Sequence, residues 1–179
     1  MAAVLLGYLA DSNEPLTVDE VKRNSRIMHA AEDEVIENII IPAARKLAEG
    51  RAGAAIRPAR YSDVLPSLGR YPLSLGKVYE VEAVELAGQA LDANAYSLID
   101  LGREQLIDAP GFVGVTAKVT FKAGIPDLKN EPGVKAWLLL AAGWFYEQRE
   151  LFVKGEAVQE MPRSFADGLL DAISQPTRF

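Results

Sequence analysis

The chain has 179 residues, with 25 acidic and 19 basic side chains, no cysteine and a single histidine, His29. Its hydrophobic content of 49% and charged content of 25% are typical of globular proteins, which excludes wholesale disorder. The missing cysteines exclude disulfide scaffolds, zinc fingers, iron–sulfur clusters and thiol nucleophiles, and the net charge of -6 argues against binding nucleic acid through the overall field.

The N-terminus, MAAVLLGYLA, is apolar but lacks the basic start of a signal peptide, so we predict none. The strongest apolar run covers residues 136–146, about 16 Å of helix, whereas a bilayer core needs about 20 residues. We therefore expect no membrane contact, and a protein that is cytoplasmic where it is made or part of an assembly built there.

Two helices are predicted near the N-terminus. Thr17 opens the pattern of a capping box, which predicts a short helix over about 17–25. An acidic first turn near Glu32 opens a second helix with an apolar stripe at three-to-four-residue spacing. Gly50 is a plausible stop for this helix, and Pro42 inside the stripe predicts a kink or a split.

From about residue 54 to 124 the helical period disappears, and runs of Val, Ile, Tyr and Thr are broken by Gly, Pro, Asp and Asn. Alternating and β-branched runs predict strands at 77–86, 95–99, 105–107 and 113–121. The stretch 61–76 holds two prolines and two glycines, and predicts a long loop or a weakly paired hairpin.

A strongly apolar helix is predicted over about 132–153, because Pro132 is tolerated in a first turn. A helix that is apolar on almost every side needs a cover on every side. Two explanations stay open: burial in the core alone, or burial in the core plus an interface with a neighbouring subunit. The residues concerned are Trp137, Trp144, Phe145, Tyr146 and Arg149.

These elements predict an α+β fold: a helical bundle, made of the N-terminal helix pair and the long C-terminal helix, with a central inserted antiparallel β block, in a single domain. The expected segments are an N-terminal arm at 1–15, helices at 16–53, the β block at 54–124, helices at 131–173 (the last over about 164–173) and a tail at 174–179. We expect the tail to have no partner within its own chain.

No phosphate-binding, dinucleotide-binding, nucleophile-elbow, zinc-protease or calcium-loop motif occurs. The acidic run 32–34 is more simply a helix start, and His29 is more simply a loop or cap residue. We therefore predict no enzyme, no catalytic residue, no metal site and no cofactor.

Charge is unevenly distributed along the chain. Residues 45–77 hold seven basic and two acidic groups, a net of +5, whereas residues 78–108 hold one basic and seven acidic groups, a net of -6. Such segments suggest head-to-tail contact between copies or a partner of opposite charge, and ordinary solvated surface is the alternative. The candidates for a charged partner or channel surface are Arg51, Arg57, Arg60, Arg70, Glu80, Glu82 and Glu85.

Three motifs occur in a set order: LTVDEVK at 16–22, VTFKAG at 119–124, and VKAWLLLAAGWFYEQRE at 134–150. With these residues the chain resembles the phage head–tail connector (adaptor) proteins of the HK97 gp6-like type, including the phiE125 gp8-like branch. The resemblance covers most of residues 15–178.

The resemblance implies a structural virion protein that forms a ring, usually of twelve copies, beneath the portal protein. Such a ring extends the channel through which double-stranded DNA passes without sequence recognition, and it docks the next neck or tail protein, a stopper or a tail terminator. The resemblance also implies a place at the head–tail interface of the virion, after assembly in the host cytoplasm, and makes Arg178 and Phe179 candidates for docking into the portal.

Two alternatives stay open. One is a different neck component, such as a tail-completion or terminator protein. The other is a cytoplasmic ligand-binding domain or enzyme that uses the β block.

Overall fold

A computed structural model describes residues 3–148 and 163–176, with the backbone only at 163–165. Its helices and antiparallel sheets confirm the predicted α+β fold class. The helices are α1 (Val18–Ser25), α2 (Asp33–Val35), α3 (Ile41–Ala52), α4 (Pro132–Glu147) and α5 (Arg163–Gly168), with a π-helical turn at Ile36–Ile40. The strands are β1 (Val4–Tyr8), β2 (Ala59–Leu65), β3 (Arg70–Pro72), β4 (Val78–Leu86), β5 (Gln89–Ala90), β6 (Ser97–Asp100), β7 (Gln105–Asp108) and β8 (Ala117–Ala123).

The described residues divide into two compact units. The sheet unit comprises residues 3–13, 52–126 and 173–176, and the helical unit comprises residues 14–51, 127–148 and 163–172. The segment boundaries proposed from the sequence stay a prediction.

The sheet unit contains two antiparallel sheets, with strand orders β1-β2-β8-β4-β5 and β3-β7-β6. Strands β2 and β8 bury every second residue, as the two-residue period of a strand requires. The rings of Tyr61 and Phe121 stack with their centroids 6.0 Å apart in the core of this unit.

The expectation of a long loop or a weakly paired hairpin at 61–76 was wrong, because β2 pairs with β8 along its seven residues and with β1 along part of them, and β3 pairs with β7 in the other sheet. The alternation of apolar and polar residues in β2 is not visible in the sequence, because one of its buried positions holds a carboxylate. That residue, Asp63, is 2% exposed and accepts hydrogen bonds from Ser74 N–H (2.9 Å) and Ser74 Oγ (2.7 Å). Strand β1 also lies within the predicted N-terminal arm, and β8 begins at Ala117 instead of 113.

The N-terminus of α1 forms the predicted capping box. Glu20 N–H donates to Thr17 Oγ1 (3.3 Å), and Thr17 N–H donates to Glu20 Oε2 (3.0 Å). Lys135 Nζ also donates to Glu20 Oε1 at 2.5 Å. Burial raises the pKa of Glu20, but the hydrogen bonds from Lys135 and Thr17 outweigh it and leave that pKa below its ordinary value.

Pro42 produces a π-helical turn where the sequence predicted a kink or a split. In a regular helix the proline ring would meet the carbonyl four residues earlier, and its nitrogen could not donate. The wider turn avoids this conflict, and Ile41 N–H donates to Ile36 C=O across five residues. The helix then continues through Gly50, so that predicted stop was wrong, and Gly53 follows its end with a φ of 64°.

A buried ion cluster lies within the helical unit. Arg45 is 2% exposed, and its guanidinium donates to both carboxylate oxygens of Glu14 (2.7 and 3.0 Å) and to Glu49 (3.0 Å). The charge of Arg45 is therefore compensated inside the fold, which is what permits its burial.

The start of the predicted free tail is bonded. Gln175 N–H donates to Ala52 C=O (2.8 Å), and Arg103 Nε donates to Ser174 C=O (2.7 Å), so the expectation of no partner was wrong for these two residues. The predicted extension of the apolar helix to 153 lies outside the described residues.

Candidate assembly surfaces

The outer face of the five-stranded sheet carries the acidic residues singled out in the sequence. Strand β4 presents Glu80, Glu82 and Glu85 to basic side chains of the adjacent strand β8 and of β2 beyond it. The ion pairs are Lys122–Glu80 (3.0 Å), Lys122–Glu82 (3.7 Å), Arg60–Glu82 (2.7 Å) and Lys118–Glu85 (3.6 Å). Three carboxylates and three cations thus form a paired face with no net charge.

The pKa values of Lys122 and Tyr79 on this face are both raised above their ordinary values. The hydrogen bond to Glu80 raises the pKa of Lys122, and the nearby carboxylates add to this effect. Burial is the main cause that raises the pKa of Tyr79, with further contributions from Glu80 and Glu82 and an opposing one from Lys122. Lys122 therefore keeps its charge at neutral pH.

The predicted arginines are mostly engaged within their own unit. Arg51 donates to Asp167 (2.5 Å) and lies over the ring of Trp137, 5.4 Å from its centroid. Arg57 donates to Ser12 Oγ (3.2 Å) and Ser12 C=O (2.8 Å), and it stacks 4.0 Å from the ring centroid of Tyr8. The guanidinium of Arg70 is exposed and has no hydrogen bond or ion pair within the described ranges. The role of these arginines toward a partner stays a prediction.

The apolar helix α4 has an inner and an outer side. Trp137 is fully buried, and its Nε1 has no hydrogen-bond partner within the described residues. Trp144 and Phe145 are half-buried and meet edge to face, with ring centroids 5.3 Å apart. Leu140 is 48% exposed on the outer side. Burial in the core accounts for Trp137, whereas an interface role for Trp144 and Phe145 stays a prediction.

The C-terminal end of α4 contacts the segment that precedes α2. Tyr146 Oη donates to Glu32 Oε2 (2.5 Å) and lies 3.5 Å from His29 Nε2. This contact gives Tyr146 a place in the helical unit. Arg149, Arg178 and Phe179, which the sequence also singled out, lie outside the described residues.

Sequence reasoning missed two charged surfaces, both in the helical unit. Arg23, Arg26 and Met28 lie at and just after the C-terminus of α1, and Met28 is 95% exposed. Glu34 and Glu37 flank the exposed side chain of Val35 on the outer side of α2 and the π-helical turn. A count of charge from residue 22 to 37 would have found them, since three basic residues precede four acidic ones there.

Strand β1 forms one edge of the five-stranded sheet, and Val4 and Leu6 are 62% and 54% exposed on it. Exposed apolar edge strands favour association.

In the described part of the chain, no group of three or more His, Asp or Glu side chains is placed to hold a metal ion. No helix in that part of the chain is both long and apolar enough to span a bilayer.

No protein-family model matches the sequence, and no curated protein sequence matches it. Solved structures, however, resemble the fold along its length. A chain in the neck of an empty GTA particle, computed with C6 symmetry, has a TM-score of 0.76 at 20% identity and covers 100% of this chain and 98% of its own.

Two further structures give the same result. A chain in the virion of a native gene transfer agent (GTA) particle has a TM-score of 0.75 at 18% identity, covering 100% of this chain and 98% of its own. A chain in the neck of a native GTA particle, computed with C12 symmetry, has a TM-score of 0.62 at 18% identity, covering 93% of this chain and 97% of its own. At these identities the likeness establishes a shared fold: this chain folds as chains in GTA particles do.

Proposed function

We propose that this chain is a structural neck protein of a virion-like particle, and more specifically a head–tail adaptor. In this role it forms a ring beneath the portal protein, extends the DNA channel, and docks the next neck or tail protein. The observation that carries the proposal is the likeness, over 100% of the chain, to a chain in a particle neck computed with C6 symmetry.

Two features of the described surface support this role. The sheet face that bears Glu80 and Glu82 balances its own charge, so it would not hold the phosphates of passing DNA. The exposed apolar side chains on β1 and α4, such as Leu6 and Leu140, are the kind of surface that contacts between subunits cover.

The direct test mixes the purified protein with the portal protein of the same particle and images the product by electron microscopy. We expect a ring seated on one end of the portal. If no ring and no portal complex forms at any protein ratio, the adaptor proposal is wrong. If the protein instead caps tail tubes in a parallel mixture, it is a tail-completion or terminator protein.

A further inference from the structure

The helical unit carries two exposed surfaces that match each other in charge and in apolar content. We infer that copies of this chain contact one another through them: the basic segment (Arg23, Arg26 and Met28) of one copy meets the acidic helix face (Glu34, Val35, Glu37 and Ile39) of the next. This inference rests on the proposed function, because a ring of identical copies is its setting.

The basic segment presents charge that its own chain does not neutralise. Within the described ranges, Arg23 and Arg26 have no hydrogen bond from their guanidinium groups and no ion pair. Together with Met28 they line an open groove of about 500 Å³, which Asp19, Lys22 and Ile27 complete. Lys22 is already engaged, since its Nζ lies 2.7 Å from Asp33.

Arg26 occupies a backbone conformation that favours glycine. Its φ of 56° and ψ of 36° are left-handed, and the following N–H, of Ile27, donates to Lys22 C=O at 2.9 Å to close the end of α1. Glycine adopts this conformation at the end of a helix without the strain that a side chain brings. A contact of the Arg26 side chain with a second copy would account for an arginine at this strained position.

The acidic helix face has the opposite character. Ile36 and Ile40 are buried in the helical unit, whereas the four residues of the acidic helix face are exposed and lie on the outer side of the helix. There Ile39 is 62% and Val35 36% exposed. The carboxylates of Glu34 and Glu37 are exposed and have no ion pair within the described part of the chain.

A second copy is the occupant that fits both surfaces. A duplex would satisfy the two arginines, but it would leave Met28 without an apolar partner and would offer nothing to the carboxylates of Glu34 and Glu37. A copy of the same chain offers carboxylates to the arginines and apolar side chains to Met28. A closed ring requires such a pair of different, complementary surfaces on every copy.

Charge reversal provides the test, read as ring formation on the portal protein by electron microscopy and solution mass. The variants are R23E/R26E and E34K/E37K, each checked for native circular dichroism. We expect each alone to form no ring, because its contacts now oppose like charges. An equal mixture of the two should restore rings, because alternating copies then meet with opposite charges at every contact.

The neutral variants R23Q/R26Q and E34Q/E37Q cover the case in which a reversed variant does not fold. We expect each to raise about tenfold the concentration at which half of the copies are in rings. The matched control is K46E/K129E, which changes the net charge as much as R23E/R26E does, at two exposed cations outside both surfaces and outside the set of residues predicted to face a partner. We expect this control to form rings as the unaltered chain does.

The outcomes separate this inference from the proposed function. Suppose first that the unaltered chain forms rings. The inference is then wrong, and the adaptor proposal stands, if the reversed and neutral variants form rings equally well. The same conclusion follows if the control fails to form rings together with those variants. If the mixture restores dimers instead of rings, the two surfaces pair in a closed two-fold contact and the ring inference is wrong. If the unaltered chain forms no ring with or without portal, the adaptor proposal fails and this inference fails with it.

Discussion

The outer face of the five-stranded sheet and the outer surface of the helical unit differ in how their charged side chains are paired. On the sheet, Lys122 lies within 4 Å of two carboxylates, one of which also pairs with Arg60, and Lys118 lies within 4 Å of a third. Around α1 and α2, Arg26 and Glu37 remain exposed without such partners in the described chain. A surface that neutralises itself can stay solvated, whereas an unpaired one has more to gain from a second molecule.

The largest effect we predict concerns α4 and tests whether its buried residues serve the core while its partly exposed residues serve assembly. Trp137→Ala removes a fully buried indole, so it should lower the free energy of unfolding by about 3–5 kcal/mol in a urea titration. Assembly on the portal should weaken only in proportion to the unfolded fraction.

Trp144→Ala is the matched substitution on the same helix, at a half-buried position. A folded Trp144→Ala protein that forms no rings would place this residue in an interface. A loss of stability as large as that of Trp137→Ala, with normal assembly of the folded fraction, would assign both residues to the core alone and remove α4 from the assembly surface.

The second prediction compares a buried ion cluster with the paired sheet face. Arg45→Met leaves Glu14 and Glu49 without their shared guanidinium, and we expect the free energy of unfolding to fall by about 3 kcal/mol. Lys118→Met removes a half-exposed cation 3.6 Å from Glu85 and should change it by about 0–1 kcal/mol.

Thermal or urea unfolding of both variants at low and high salt measures this difference. Salt should reduce the small effect of Lys118→Met and leave the effect of Arg45→Met nearly unchanged, because buried pairs are screened less. Equal effects for the two variants would mean that the sheet face contributes to stability as much as the buried cluster does.

The sequence predicted the fold class, the capping box of α1 and four of the eight strands in the described residues (β4, β6, β7 and β8), because these depend on local spacing. It did not predict β2, whose inward Asp63 is balanced by Ser74, eleven residues away, through contacts that only the folded chain makes. The charge division between 45–77 and 78–108 was real in the sequence, but the strand register brings Arg60 to Glu82 and cancels part of it. A count over residues 22–37 finds the three cations there, but which of them stay unpaired depends on tertiary contacts: Lys22 pairs with Asp33, whereas Arg23 and Arg26 have no ion pair within the described residues.

The smallest effect tests whether the strained position of Arg26 serves assembly. Arg26→Gly should raise the free energy of unfolding by about 0.5–1 kcal/mol, because the relief of left-handed strain, about 1–2 kcal/mol, exceeds the extra unfolded-state entropy of glycine, about 0.4–1 kcal/mol. The same substitution should weaken ring formation, because the guanidinium is lost. The measurements are a urea titration and the concentration dependence of ring formation.

Ala87→Gly is the control, since Ala87 has a φ of 50° in the two-residue turn between β4 and β5, where a glycine is also favoured. It should stabilise the fold to a similar extent and leave ring formation unchanged. Only Arg26→Gly would then raise stability and weaken assembly at the same time. A purely structural role for the Arg26 side chain does not predict that combination. If Arg26→Gly stabilises the fold and forms rings as readily as Ala87→Gly does, the charge of Arg26 has no part in assembly, and the contrast between the two surfaces loses its functional meaning at that residue.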